Sequence, residues 1–287
     1  GQGMTIAVLD AGFMNVDKIA AFRNLNIKGT HNFVAGYDND VYKEMDHGTK
    51  TLSTIAMNQP TVFVGTAPKA DFWLLRTEDY STESPAEEDF WIAAVEFSDS
   101  VGVDIISSSL GYHGFDDISM NYRYSGLNGR TAAISQAASR LASKGIILVN
   151  SAGNDGMGTW KKINVPADAH DILTVGAVSL DKVNAPFSSI GPTADGRIKP
   201  DVMAYGCPTN VVSGRGYIIP DNGTSFACPL IAGMVACLWQ ACPNKSAKEI
   251  IDIIRQSGNN CQSPDNIMGY GIPDFWSAYQ SATRYNQ

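Results

Sequence analysis

Residues 146–150 (IILVN) constrain this chain more than any other stretch, because they are apolar at consecutive rather than alternate positions. A strand sends successive side chains to opposite faces, so a continuously apolar strand has to be covered on both. Similar strands are expected at 4–9 (MTIAVL), 71–76 (DFWLLR), 104–109 (DIISSS) and 171–178. Helical periodicity fills the intervals. A short helix is expected at 49–57, and one at 86–98 is acidic at its start and apolar at Phe90, Ala93, Ala94 and Phe97. A third, 131–143, is closed by Lys144-Gly145. Strand-helix alternation of this kind predicts an α/β fold, a mostly parallel central sheet with helices on both faces in three layers. Beyond residue 225 the pattern turns helical. It predicts a long apolar helix, an amphipathic one over 246–256 capped by Ser246, a turn at Gly269-Tyr270-Gly271, and a last helix from about Asp274. With no repeat and no linker, residues 1–287 read as a single domain.

Composition removes several classes of function. The chain is 44% hydrophobic and 17% charged, a soluble globular balance, and no apolar run reaches the ~20 residues of a bilayer span. A net charge of −8 without a basic stripe excludes a nucleic-acid partner. None of the five cysteines forms a C-x-x-C pair, so no metal site is expected from them. A local disulfide such as Cys242–Cys261 and a set of small buried thiols are both compatible with the spacing.

Ligands of open parallel sheets sit beyond the carboxyl ends of the strands. Asp10 directly follows one expected strand, and Ser151-Ala152-Gly153-Asn154 follows another. His47 lies where a loop enters a helix, beside Gly48. Ser225 sits in DNGTSFACPLIAG (221–233), at the head of the long apolar helix. Each residue has an ordinary structural reading alone: Asp10 and Asn154 in turns, Ser225 as a helix cap. Together they are the parts of a nucleophilic machine. A serine hydroxyl needs an imidazole to take its proton, the imidazole needs a carboxylate to fix its tautomer, and the oxyanion needs a preorganised donor. The order Asp, His, Ser, the absence of G-x-S-x-G and of any histidine after Ser225 exclude an α/β-hydrolase.

These stretches resemble the subtilisin-like serine proteases (subtilases). TIAVLDAG (5–12) is similar to the family's aspartate motif, HGTKTLSTIA (47–56) to its histidine motif, NSAGNDG (150–156) to its oxyanion motif and NGTSFACPLIAGMVA (222–236) to its serine motif. GTAPKADFWLLR (65–76), DIISSSLGY (104–112) and FSSIGPTADGRIKPDV (187–202) extend the likeness over nearly the whole chain. The resemblance implies a serine endopeptidase in which Asp10 orients His47, His47 is base then acid, Ser225 forms the acyl-enzyme and Asn154 donates to the oxyanion. It implies that Ser108, Ser109, Leu110 and Gly111 pair with substrate backbone, and that Ser151, Ala152 and Gly153 wall the pocket for the residue before the scissile bond. The partners implied are protein or peptide substrates and an inhibitory pro-segment upstream of a processed chain, and the place is secreted or at the cell envelope or periplasm. No cofactor is implied. The family's structural calcium is not expected here, because Asn58-Gln59-Pro60-Thr61 carries no carboxylate.

The chain departs from the family's usual residues at Lys50, Cys228 and Leu230, none of them a triad position. The competing reading is a catalytically silent relative that binds peptides or scaffolds a complex. Specificity is expected to be apolar at the bond itself, since Ala152 and Gly153 bring no charge. The acidic stretch 78–89 is expected to place Glu83 along the groove, favouring Lys or Arg two to four residues upstream. Glu87, Glu88 and Asp89 are expected as solvated acids at a helix start.

Overall fold

Alternate residues of strand β1 (Thr5–Asp10) face two different apolar cores: Ile6 and Val8 one, Ala7 and Leu9 the other. That is the double burial which consecutive apolar residues demand. The computed structural model describes residues 1–284. After β1 come β2 (Asn26–Asn32), α1 (His47–Ala56), the short hairpin of β3 (Asn58–Gln59) and β4 (Phe63–Val64), β5 (Asp71–Arg76) and α2 (Ala86–Ser100). Then follow β6 (Ile105–Ser108), α3 (Ala133–Ala138), β7 (Ile147–Ser151), β8 (Leu173–Ser179), β9 (Val202–Cys207) and the hairpin of β10 (Thr209–Val212) and β11 (Ile218–Asp221). Helices α4 (Thr224–Ala241), α5 (Ala247–Gln256) and α6 (Phe275–Arg284) end the described chain.

The main sheet has seven strands in the order β2-β5-β1-β6-β7-β8-β9, each neighbouring pair parallel. Helices α1, α4, α5 and α6 cover one face through Leu52, Val235, Ile250 and Ala278. Helices α2 and α3 cover the other through Trp91, Val95 and Ile134. Each of the Leu, Val and Ile side chains among these, fully buried, contributes roughly 1.5–3 kcal/mol, far more than helix propensity supplies. The fold is the expected three-layer α/β arrangement. Among the described residues α4 is the one helix long and apolar enough to cross a membrane, with a mean hydropathy of 1.4 over 18 residues. Here it is a core helix, with Phe226, Ala227, Ile231, Ala232 and Val235 all buried.

Three expectations on local structure change. The helix over 131–143 is shorter, ending at Ala138. The Ser139 hydroxyl donates to Ser135 O at 2.7 Å and accepts from His170 N at 2.9 Å, so it competes with the backbone ladder and pins the chain as it turns. Gly145 then adopts the left-handed conformation, with φ of 84°. Strands β2 and β9, unforeseen in the sequence, are the two edges of the sheet, where one flank lacks a strand partner. No residue of β2 is fully buried, so its apolar signal is absent. The cysteines are all free thiols, Cys242 and Cys261 included, which removes the local disulfide as an option. Ser246 does cap α5, accepting from Glu249 N while the Glu249 carboxylate accepts from Ser246 N at 2.8 Å.

Candidate active site

The order of the sheet marks where a site belongs. Strand β1 lies between β5 and β6, so the chain leaves it toward one side through α1 and returns to its other side through α2. A crevice opens at the carboxyl end of β1, where these connections part to opposite faces. Asp10 is the last residue of β1, and His47 is the first of α1. Asn154 follows the end of β7, and Ser225 is the second residue of α4. The four candidates from distant parts of the sequence therefore converge on one end of the sheet.

Asp10 is fully buried, and every contact orients it. Its Oδ1 lies 2.6 Å from His47 Nδ1 and accepts from the Ala11 amide at 2.8 Å, while Oδ2 accepts from the Thr51 hydroxyl at 2.9 Å. Thr51 escaped sequence reasoning. The signal was there, since it stands four residues after His47 and so on the same helical face. Gly48 lets α1 begin close against the strand loop, its amide donating to Gly12 O at 2.9 Å. A Cβ at Gly48 would stand 2.4 Å from that same oxygen. The charge and hydrogen bond of Asp10 overcome the burial that opposes ionisation, and His47 is held above the ordinary imidazole value. Lys50 pushes the other way and Asp221 adds to Asp10. Lys50 Nζ lies 3.1 Å from Asp221 Oδ2 and 3.6 Å from Asp46 Oδ1, so it bridges the histidine helix to the residues that lead into the serine turn.

Ser225 is not the cap of α4. The cap position belongs to Gly223, which has no side chain to offer. Its place is taken by Asn154, whose Oδ1 accepts from Thr224 N at 2.9 Å and from the Thr224 hydroxyl at 3.0 Å. Binding through Oδ1 leaves the Nδ2 amide of Asn154 without a hydrogen bond among the described residues. The first amides of a helix lack partners within it, and this helix start supplies further donors at the same point. The Ser225 hydroxyl donates to Ser109 O at 3.4 Å, a long bond, and the Ser109 hydroxyl returns one to Ser225 O at 2.8 Å. Cys228, one turn on, is buried against Ser108 O and Val149 O, and burial pushes its thiol up to about 12.

A cavity of about 330 Å³ opens beside Ser225 and Asn154. Ser109, Leu110, Gly111, Ser151 and Gly153 line it. Ser108 and Ala152, expected among the substrate contacts, do not. Ser108 is a strand residue fully buried under Trp91, whose indole N–H donates to its hydroxyl at 3.0 Å, and Ala152 belongs to the core. The expectation of a pocket free of charge is also corrected, because Asp155, Glu83 and His113 line the same cavity. Of the acids expected to be solvated, Asp89 is exposed but Glu87 and Glu88 are buried. Glu87 accepts from Asp79 N at 2.8 Å and Ser84 N at 3.2 Å, and Glu88 accepts from Tyr122 Oη at 2.9 Å. Burial pushes both up to about 7. Glu78 beside them, bonded to Tyr112 Oη at 2.7 Å, is pushed up to about 8 by burial and by the charge of Glu87.

A sequence model described as the Subtilase family matches residues 1–271. The chain is 28% identical over 264 residues to Subtilisin DY of Bacillus licheniformis, covering 90% of this chain and 86% of that one. It is 30% identical over 254 residues to Subtilisin NAT of Bacillus subtilis subsp. natto, covering 88% of this chain and 59% of that one. It thus spans about three fifths of the length of several subtilisin relatives. In three dimensions it resembles the self-cleaved protease domain of PatA, with a TM-score of 0.77 and 20% identity over 98% of this chain and 97% of that one. It also resembles MycP1 with its N-terminal propeptide removed, with a TM-score of 0.74 and 22% identity over 97% and 90% of the two chains.

Proposed function

This chain belongs to the subtilase family, and from that premise we propose that it is a serine endopeptidase acting through an acyl-enzyme on Ser225. The observation that carries the reading is the Asp10–His47 pair, 2.6 Å apart at the carboxyl end of β1, beside a serine at a helix start whose neighbouring donor is Asn154. Asp10 holds the proton of His47 on Nδ1 and leaves Nε2 to accept from Ser225. For the reaction the Ser225 side chain has to turn away from Ser109 O toward that nitrogen. Attack on the scissile carbonyl places the oxyanion between Asn154 Nδ2 and the amides at the start of α4. His47 then passes its proton to the leaving amine, and water repeats the sequence in reverse. Substrates are proteins or peptides, and a pro-segment that inhibits the site is a partner of the same reading. So is a secreted or cell-envelope location, which rests on the family resemblance alone.

One observation favours the alternative, a silent relative that only binds peptides: the Ser225 hydroxyl is bonded to Ser109 O rather than to His47. Labelling with a fluorophosphonate separates the two. An active site labels on Ser225 and loses the label in Ser225→Ala. A silent one does not label.

Asn154→Ala is expected to lower kcat by about 10²–10³, the effect known for such a donor in subtilisin itself, with KM little changed. Steady-state kinetics on a peptide amide check this, and an unchanged kcat removes Asn154 from the oxyanion site. The pH profile follows from the direction of the His47 shift. The base works only when neutral and its pKa is raised. Activity is therefore low in mild acid, rises through an apparent pKa above about 6.5, and levels off at alkaline pH. In Lys50→Met the cation that opposes Asp10 is lost, and Asp221, which already raises the pKa of His47, loses its Lys50 partner. The acidic limb then moves to higher pH. A limb that stays in place or moves down overturns this account of the base.

A further inference from the structure

We propose that the pocket beside Ser225 takes a basic side chain, Lys or Arg, so that this chain cleaves after basic residues. The proposal rests on the serine-endopeptidase reading and adds its substrate class. Two carboxylates line the cavity that holds Asn154 and Ser225: Asp155 from the loop after β7 and Glu83 from the loop before α2. No Lys or Arg is among the lining residues. The third polar group is Asn164, only 7% exposed. Its Nδ2 donates to Asp155 Oδ2 at 3.0 Å, which sets the orientation of the amide. Its Oδ1 is closed off from solvent and makes no hydrogen bond among the described residues.

Lys and Arg side chains are donors only, and both carry the charge that two carboxylates attract. A leucine or phenylalanine side chain desolvates Asp155 with nothing in return. A glutamate adds a like charge.

The remaining polar contacts agree. His113 Nδ1 stands 3.9 Å from Asp155 Oδ2 with its ring stacked on Trp160, which leaves the pocket more carboxylate than cation. The loop that carries Glu83 is held by its backbone, Glu83 N donating to Asp116 Oδ2 at 3.1 Å and Glu83 O accepting from Asp116 N at 2.9 Å. Its carboxylate makes no hydrogen bond or ion pair among the described residues. Glu83 as a residue is exposed, while desolvation of its carboxylate and the nearby Asp116 raise its pKa, an effect that a bound cation offsets. The basic preference assigned in the sequence to positions further upstream thus belongs to the residue at the bond.

The test is a set of peptide aminomethylcoumarin amides that differ only in the residue before the bond: Arg, Lys, Leu, Phe and Glu. The expected result is a kcat/KM for Arg or Lys roughly tenfold or more above that for Leu. In Asp155→Asn/Glu83→Gln the ratio of Arg to Leu collapses toward one. Glu83→Gln alone changes no packing contact and lowers the ratio severalfold. A preference for Leu, Phe or Glu in the unmodified protein, or a ratio that survives in the double variant, overturns the proposal. Calorimetry on Ser225→Ala reads the pocket without turnover. Peptides ending in Arg bind more tightly than those ending in Leu, and equal or reversed affinities overturn the proposal as well. Failure of the catalytic reading has a different signature, turnover retained by Ser225→Ala or no fluorophosphonate label, whichever way the binding result falls.

Discussion

Ser225→Ala is expected to abolish peptide hydrolysis, with kcat falling by on the order of 10⁶, a magnitude taken from the loss of the nucleophile in subtilisin itself. The substitution removes one small oxygen from a position with 8% exposure. The fold gives little up in return. Among the described residues the hydroxyl makes only the long bond to Ser109 O at 3.4 Å, while the helix start is held by Asn154 and Thr224. The bond from the Ser109 hydroxyl goes to the Ser225 backbone oxygen and survives the change. The variant should therefore melt at nearly the same temperature while its active-site titration falls to zero. Near-normal turnover from well-folded alanine protein would mean that another group is the nucleophile.

Asp10→Asn is expected to cost about 10⁴ in kcat, the size of effect seen when a triad carboxylate becomes an amide. The side chain keeps its shape, and with its oxygen turned to the Thr51 hydroxyl it keeps that bond, while Ala11 N loses its acceptor. What changes is the face turned to His47. An NH₂ group there donates to Nδ1, which puts the imidazole proton on Nε2, the nitrogen that has to take the proton of Ser225. The loss is in kcat rather than KM, since Asp10 is fully buried and touches no substrate. The charge that raises the pKa of His47 is removed as well. Whatever activity remains should rise at lower pH than in the unmodified protein. Kinetics across pH check both effects, and a drop of less than about tenfold would show that His47 keeps its working tautomer without Asp10.

The layer architecture and the place of the four site residues were legible in the sequence because both are written in local patterns. Consecutive apolar residues in 146–150 require cover on two faces wherever the strand lies, and a polar residue that ends such a strand falls at its carboxyl edge. Asp10 and Asn154 were found by that rule, and the order Asp, His, Ser separated this chemistry from its main rival. The edge strand β2 defeated the same logic, since none of its residues is fully buried and they need not be apolar.

The pocket and the state of the acids were decided by the tertiary structure alone. Glu87 and Glu88 look like solvated acids at a helix start, yet Tyr122 and the turn at 79–84 come back over them and exclude water. Glu83 and Asp155 are separated by 72 residues, and nothing local to either says that they share a cavity. The direction of the Ser225 hydroxyl and the capping of α4 by Asn154 are likewise contacts between segments distant in sequence. Local pattern determines which face of an element is apolar. Burial, charge and hydrogen-bond partners depend on what the rest of the chain places opposite that face, and this only the folded structure supplies.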